Sequence, residues 1–221
     1  MIFKISDFLT PEELEYVTSS LAQAEFVSGK LTAGWHAKLV KNNQQLKYNE
    51  PKVQELKEII IKALSRNALF QTAVRPKIVH SILFSRYDMG MSYGRHVDNA
   101  LMEDSFLRSD ISFTLFLNSP STYEGGELVI EEADDEKAYK LEAGAMIVYP
   151  STTLHRVDPV TSGTRLVVVG WIQSLVRDAS EREILFDLDT ARRVIFAKDG
   201  KTPEFDLISK SVANLLRKWA E

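Results

Sequence analysis

The chain contains no cysteine, which excludes a disulfide framework and any thiolate metal site. It also lacks any run approaching the roughly 18 consecutive apolar residues that a membrane span requires, so no membrane partner is expected. An excess of basic charge is missing too. Lys and Arg number 27 against 31 Asp and Glu, giving a net charge of −4, and the basic residues form no dense stripe. Such scattered charge reads as a solvated surface, and no nucleic-acid partner is expected. Internal repeats and low-complexity tracts are absent. The opening Met1-Ile2-Phe3-Lys4-Ile5-Ser6-Asp7 reaches charge too early for a secretory signal, so a cytoplasmic location is expected. What remains is an ordinary globular composition, 44% hydrophobic and 26% charged over 221 residues. That length suffices for one sizeable core, or a core with a small appendage.

Hydrophobic periodicity divides the chain into three parts. In the first, residues 1–76, Ile2 to Ile5 reads as a short strand. Thr10, Pro11 and Glu13 then form a capping box that opens a helix carrying Leu14, Val17, Leu21 and Phe26. A second amphipathic helix is predicted from about Pro51 to Ser65, with Val53, Leu56, Ile59, Ile60 and Leu64 on one side. In the second part, residues 77–175, short runs rich in Val, Ile, Phe and Leu recur between turn-forming clusters. Strands are predicted near 78–86, 110–117, 126–132, 137–141, 145–149 and 165–172. Many short strands of this kind suggest a jelly roll, a double-stranded β-helix. In the third part, residues 176–221, Ser180 and Glu183 suggest a capped helix through Ile195, and Thr202-Pro203 starts another reaching Trp219. The fold class is thus α+β, with a jelly-roll core flanked by N-terminal helices and a C-terminal helical tail. Apolar stripes on the tail suit packing on the β core or on a second subunit, so a homo-oligomer through these helices is one expectation.

Only four histidines are present, so their placement matters. His96 precedes Asp98 by two residues, and on extended backbone residues i and i+2 face the same way. His155 follows an apolar strand, Ala145 to Tyr149, and the turn Pro150 to Thr153. A jelly roll gathers distant strand ends at one mouth, where two imidazoles and a carboxylate would form the facial triad typical of non-haem iron(II) sites. Read alone, His155 would more often be a structural histidine; beside His96 and Asp98 it reads as a ligand. Arg165 opens the apolar run Leu166 to Trp171, which puts a guanidinium at or inside the barrel. Burying it is costly unless a carboxylate meets it. An internal acidic side chain or a dicarboxylate ligand would satisfy it, the latter through a bidentate fork. His36 and His80 have no partner at metal spacing and read as structural.

The segment Arg86-Tyr87-Asp88-Met89-Gly90-Met91-Ser92-Tyr93-Gly94-Arg95-His96-Val97-Asp98 resembles the metal-binding segment of prolyl-hydroxylase-like 2-oxoglutarate oxygenases. Tyr123-Glu124-Gly125-Gly126-Glu127-Leu128 resembles their mid-domain turn, and Gly144 through Trp171, with His155, Gly163 and Arg165 in order, their final strands. The bacterial PKHD-type hydroxylases resemble the chain further still, through Lys41-Asn42-Asn43-Gln44-Gln45-Leu46 and the helical tail.

The resemblance implies that His96, Asp98 and His155 ligate Fe(II). It implies that Arg165 takes the distal carboxylate of 2-oxoglutarate and that Tyr87 donates its hydroxyl to the same cosubstrate. Collagen-type prolyl hydroxylases have Lys at the Arg165 position, and some oxygenases carry Ser or Thr where this chain has Val167, so no hydroxyl contact is expected there. Related halogenases lack the carboxylate that Asp98 supplies, which favours hydroxylation. The implied reaction is oxidative decarboxylation of 2-oxoglutarate by O2, yielding succinate and CO2, coupled to hydroxylation of a substrate C–H bond. L-ascorbate is a further reductant that the resemblance implies. The Asn42 to Gln45 run would line the substrate entrance. A rival reading is a cupin-like binding module with a structural metal. Without the resemblance, Tyr87 and Tyr93 read as strand-end aromatics and Gly125-Gly126 as a plain tight turn.

Overall fold

The structure, a computed structural model, describes residues 1–102 and 106–221. Two antiparallel sheets face each other. The larger runs in the order Phe3–Ile5, Met146–Pro150, Ile111–Phe116, Val160–Ser174, Pro76–Asp88, Gln44–Leu46 and Phe26–Ser28, with Tyr123–Gly125 paired to one end of Val160–Ser174. The smaller runs Glu136–Tyr139, Leu128–Glu131, His155–Val157, Ser92–His96 and Lys41–Asn42. A two-stranded ribbon, Leu101–Met102 with Leu107–Arg108, stands apart.

Period-two alternation assigns the faces of the larger sheet. Along Val160–Ser174, Leu166 and Val168 point to one side, joining Phe84, Phe113, Leu115, Met146 and Val148. Three helices cover that side: α1 (Pro11–Ala22), α2 (Val53–Arg66) and α3 (Ala68–Val74). Their buried Val17, Leu21, Leu56, Ile60, Leu64 and Phe70 complete the main core. Val167 and Val169 point the other way, into a second cluster with Tyr87, Phe116, Leu128, Ile130, Ile147, Tyr149 and Val157 between the sheets. The double-sheet expectation is met.

The capping box of α1 is formed as read: the Glu13 amide donates to Thr10 Oγ1 at 3.2 Å and the Thr10 amide to Glu13 Oε2 at 3.0 Å. Three local expectations need correction. Phe26 is not on α1, which ends at Ala22, but on an edge strand of the large sheet. Helix α3, capped by the Asn67 side chain, was not anticipated. The first tail helix, α4 (Ala179–Asp199), is capped by Asp178 and not by Ser180. The Asp178 carboxylate accepts from the amides of Ser180 and Glu181 at 2.8 and 3.1 Å, and an ionised acceptor outcompetes a hydroxyl for those donors. Helix α5 (Pro203–Trp219) starts at Thr202 as the sequence suggests.

The tail packs on the body. Val176, Leu185 and Val212 form a small buried cluster with Leu188, Ile208 and Trp219, and Arg193 on α4 reaches Thr72 of α3. Among the described residues no helix is long and apolar enough to cross a membrane.

Candidate metal centre and its pocket

His96 ends its strand and His155 begins another. The two strands are neighbours, and the residues pair directly in register. Asp98, two residues past His96 and beyond the end of the strand, brings its carboxylate to the same site. Ligand-capable atoms of the three side chains lie within 4.8 Å of one another, and His155 Nε2 stands 3.9 Å from Asp98 Oδ2. The expected convergence is therefore present, whereas His36 and His80 lie outside the cluster.

Each histidine is oriented by its own backbone. His96 Nδ1 donates to the carbonyl of Gly94 at 2.8 Å, and His155 Nδ1 to that of Thr153 at 2.9 Å. Because a carbonyl can only accept, both Nδ1 atoms carry a proton, which leaves Nε2 of each ring as the atom that can ligate a metal. Burial and the adjacent His155 push His96 down to about 4, partly opposed by Asp98, so the ring is neutral near pH 7. The Tyr93 ring stacks on His96, and the edge of Tyr149 meets His155 with centroids 5.2 Å apart. Asp98 Oδ2 accepts from Ser112 Oγ at 2.6 Å, Ser112 meets Ser151 Oγ at 2.7 Å, and Ser151 in turn accepts from Ser109 Oγ at 3.1 Å.

The sequence reading missed this serine relay. Its signal lay in Ile111–Phe116, where Ser112 and Thr114 alternate with apolar residues on a strand whose six positions are all buried. Polar side chains repeating at period two inside a buried strand point to a polar cavity.

The triad opens on a cavity of about 360 Å³ between the sheets. Tyr87, Thr114, Leu128, Val157, Arg165 and Val169 are part of its wall. Arg165 is 1% exposed. Its guanidinium lies 4.9 Å from the centroid of the Tyr87 ring and 5.4 Å from that of Phe116. Among the described residues no carboxylate comes within ion-pairing distance of it, and its Nε has no hydrogen-bond partner. The alternative of an internal salt bridge is not realised. A buried guanidinium without a counter-charge is costly, and a carboxylate ligand would relieve that cost. Tyr87 lies beside it; burial raises its pKa, opposed by the Arg165 charge. Gly125 and Gly126 are more than a plain turn. Both have φ near 69°, and a Cβ on Gly126 would sit 3.0 Å from Arg165 Cδ. The turn thus closes the cavity against the arginine stem.

The donor set fits the group it would hold. Two imidazoles and one carboxylate suit a non-haem ferrous ion and leave further coordination positions open. The unpaired Arg165 in the same cavity fits a dicarboxylate.

Comparison with known proteins decides the family. Residues 82–173 match the model of the 2OG-Fe(II) oxygenase superfamily. The chain is 69% identical to a PKHD-type hydroxylase of Gloeothece citriformis and 67% identical to one of Picosynechococcus, in each case over 221 residues and the full length of both proteins. The chain belongs to the PKHD-type hydroxylases. It is therefore an enzyme, a 2-oxoglutarate-dependent dioxygenase that uses Fe(II), not a cupin-like module with a structural metal. A crystal structure of a Pseudomonas putida prolyl-4-hydroxylase is similar in fold, with a TM-score of 0.53 and 20% identity over 78% of this chain and 92% of the other. In this hydroxylase the jelly roll supplies the site, and the reaction releases succinate and CO2 while hydroxylating a C–H bond of an unidentified substrate.

Proposed function

We propose that His96, Asp98 and His155 hold the ferrous ion and that Arg165 binds the distal carboxylate of 2-oxoglutarate, with the Tyr87 hydroxyl donating to the same cosubstrate. The observation that carries this reading is the pairing, in one cavity, of a His-Asp-His cluster with a buried cation that has no counter-charge among the described residues. When bound, iron and cosubstrate supply O2 activation through oxidative decarboxylation.

The chain's own residues supply geometry and exclusion of water. The carbonyls of Gly94 and Thr153 fix the tautomers of His96 and His155, and Ser112 holds Asp98 Oδ2. Partners of this kind orient a ligand before metal arrives. Arg165 offers two parallel N–H bonds, which set both position and orientation of a carboxylate. Leu128, Phe113, Val157 and Val169 make the cavity wall apolar, which strengthens the arginine–carboxylate attraction.

The test is succinate release from purified protein given Fe(II) and 2-oxoglutarate, followed by proton NMR, with His155→Ala as control. Succinate should form well above that control. Equal succinate from both, with iron shown to be bound to the wild type, would remove the assignment.

The remaining expectations belong to the same proposal. Residues 77–175 form the oxygenase core, 1–76 its support and 176–221 a helical extension. L-ascorbate serves as the reductant that returns oxidised iron to the ferrous state, testable by turnover number with and without it. The enzyme works in the cytoplasm without nucleic-acid or membrane partners, and self-association through α4 and α5 is read from the exposed Val194, Phe196 and Leu207.

A further inference from the structure

The segment Lys41 to Gln45, which passes from the edge of the smaller sheet to the larger one, carries amides and a lysine where apolar residues would be usual, and it alternates in burial. Lys41, Asn43 and Gln45 are buried at 5%, 4% and 3% exposure, while Asn42 is exposed and donates to the Gly90 carbonyl at 3.3 Å. All three buried residues line the metal cavity. A lysine this deeply buried ordinarily has a counter-ion. Among the described residues, none lies within ion-pairing distance of Lys41. Its ammonium uses one of three protons, donated to Thr32 Oγ1 at 3.1 Å, and stands 5.2 Å from the centroid of Tyr93. Burial lowers it to about 8, against the pull of Asp98. Two positions further along the chain, the Asn43 side-chain amide lies beside Tyr87, and neither of its polar atoms has a hydrogen-bond partner of good geometry.

Charge balance gives these groups a purpose. Among the described residues, the charged side chains on the cavity wall are Lys41, Asp98 and Arg165, and a histidine that ligates a metal does so as the uncharged ring. If the site is loaded as proposed above, a divalent ion, Asp98, the dianionic cosubstrate and Arg165 cancel one another. Among the described residues Lys41 is then left as one uncompensated positive charge, with the Asn43 amide nearby. We propose that Lys41, assisted by Asn43, anchors an anionic group of the substrate, a carboxylate in particular, so that the hydroxylated compound is an acid. This inference rests on the reading of the triad and Arg165 given above. Two cations then have separate tasks: Arg165 takes the cosubstrate and Lys41 the substrate.

The experiment uses the full chain loaded with Mn(II) in place of iron and saturated with 2-oxoglutarate. Paramagnetic relaxation of added small molecules is read by proton NMR, without turnover. The probes are butanoate and butanamide, matched in size and differing in charge. Butanoate should be relaxed at least fivefold more strongly than butanamide. Lys41→Met should bring that ratio close to one, and Lys41→Arg should restore most of it. Equal relaxation of the two probes by the wild type overturns the proposal, and this comparison needs no variant. A ratio unchanged by Lys41→Met overturns it as well, because the carboxylate would then be meeting the metal directly. Failure of the underlying reading looks different: Mn(II) would not be retained, or the 2-oxoglutarate protons would not be relaxed, and the proposal would fall with it.

Discussion

The Tyr93 ring lies flat against His96, with centroids 3.6 Å apart and planes 14° from parallel. The Lys41 ammonium stands over the same tyrosine. Tyr93 therefore restricts tilting of one ligand while the carbonyl of Gly94 holds its tautomer. Tyr93→Ala should weaken Mn(II) binding about tenfold, the lower end of what supporting residues contribute at metal sites. Tyr93→Phe should bind as the wild type does, since the ring stacks and the hydroxyl does not. Calorimetric titration of both variants decides this. Equal loss in the two would shift the role from ring to hydroxyl.

Arg165 makes opposite predictions for stability and activity. It is buried with no counter-charge among the described residues, so without added 2-oxoglutarate Arg165→Met should leave the melting temperature unchanged or raise it. The same variant should raise the KM for 2-oxoglutarate about a hundredfold, equivalent to about 3 kcal/mol for losing a charged partner. In the wild type, 2-oxoglutarate at a hundred times its Kd should stabilise the metal-loaded fold by about 2.7 kcal/mol, and the variant should lose that gain. A marked fall in melting temperature without cosubstrate would instead make Arg165 a structural residue.

The triad was legible in the sequence because its chemistry is local. His96 and Asp98 share a face by strand geometry alone, and His155 sits just past a strand and turn. The direct pairing of His155 with His96 was not legible, because strand register is decided by tertiary packing. The long strands were found through their apolar runs. Those missed, among them 41–42, 44–46, 92–96 and 155–157, surround the cavity and turn polar side chains inward. Their pattern is the inverse of an ordinary half-buried strand, so a search for inward apolar residues passes over them. Lys41 shows the cost: its burial appears only once the cavity is known. Helix α3 was overlooked because seven residues span about two turns, too few for a periodic signal.

The metal-free protein should lose stability in mild acid, and His96 sets part of the window. Its pKa falls from an ordinary 6.5 to about 4 on folding. Above pH 6.5 neither state is protonated at this group and it contributes nothing. Between 6.5 and 4 the unfolded chain binds the proton and the folded chain does not, so stability falls as pH falls. By pH 5 the loss reaches about 2 kcal/mol. Carboxylates such as Glu13, held low by Arg66, add a separate loss at lower pH, so the check is a difference. Urea unfolding at pH 7 and pH 5 should show a smaller drop for His96→Gln than for the wild type. Identical drops would place the acid sensitivity elsewhere.

The tail helices are tied to the body through Arg108–Glu221 and Arg193–Thr72, and further bonds fix the strand end that leads into them and the helices themselves. Ser174 Oγ donates to the Val74 carbonyl at 2.7 Å, Val176 bridges to Ala220, and Arg108 pairs with both Asp110 and Glu221. Buried Arg182 donates to the carbonyls of Val176 and Arg177 at 2.8 Å each, and Asp189, 2% exposed, is held by Arg192 and Arg193. A chain ending at Gln173 would forfeit the burial of Val176, Leu185 and Val212, about 5 kcal/mol at 1.5–3 kcal/mol per side chain. It would also expose the side of α3 that α4 covers. For a protein of this size that corresponds to a fall in melting temperature on the order of 10 °C. Thermal unfolding and size-exclusion chromatography should therefore find the truncated chain less stable and prone to aggregate. A soluble monomer melting where the full chain melts would mean that the helices contribute nothing to the body they touch, and would return attention to their exposed apolar residues as a contact for a second subunit.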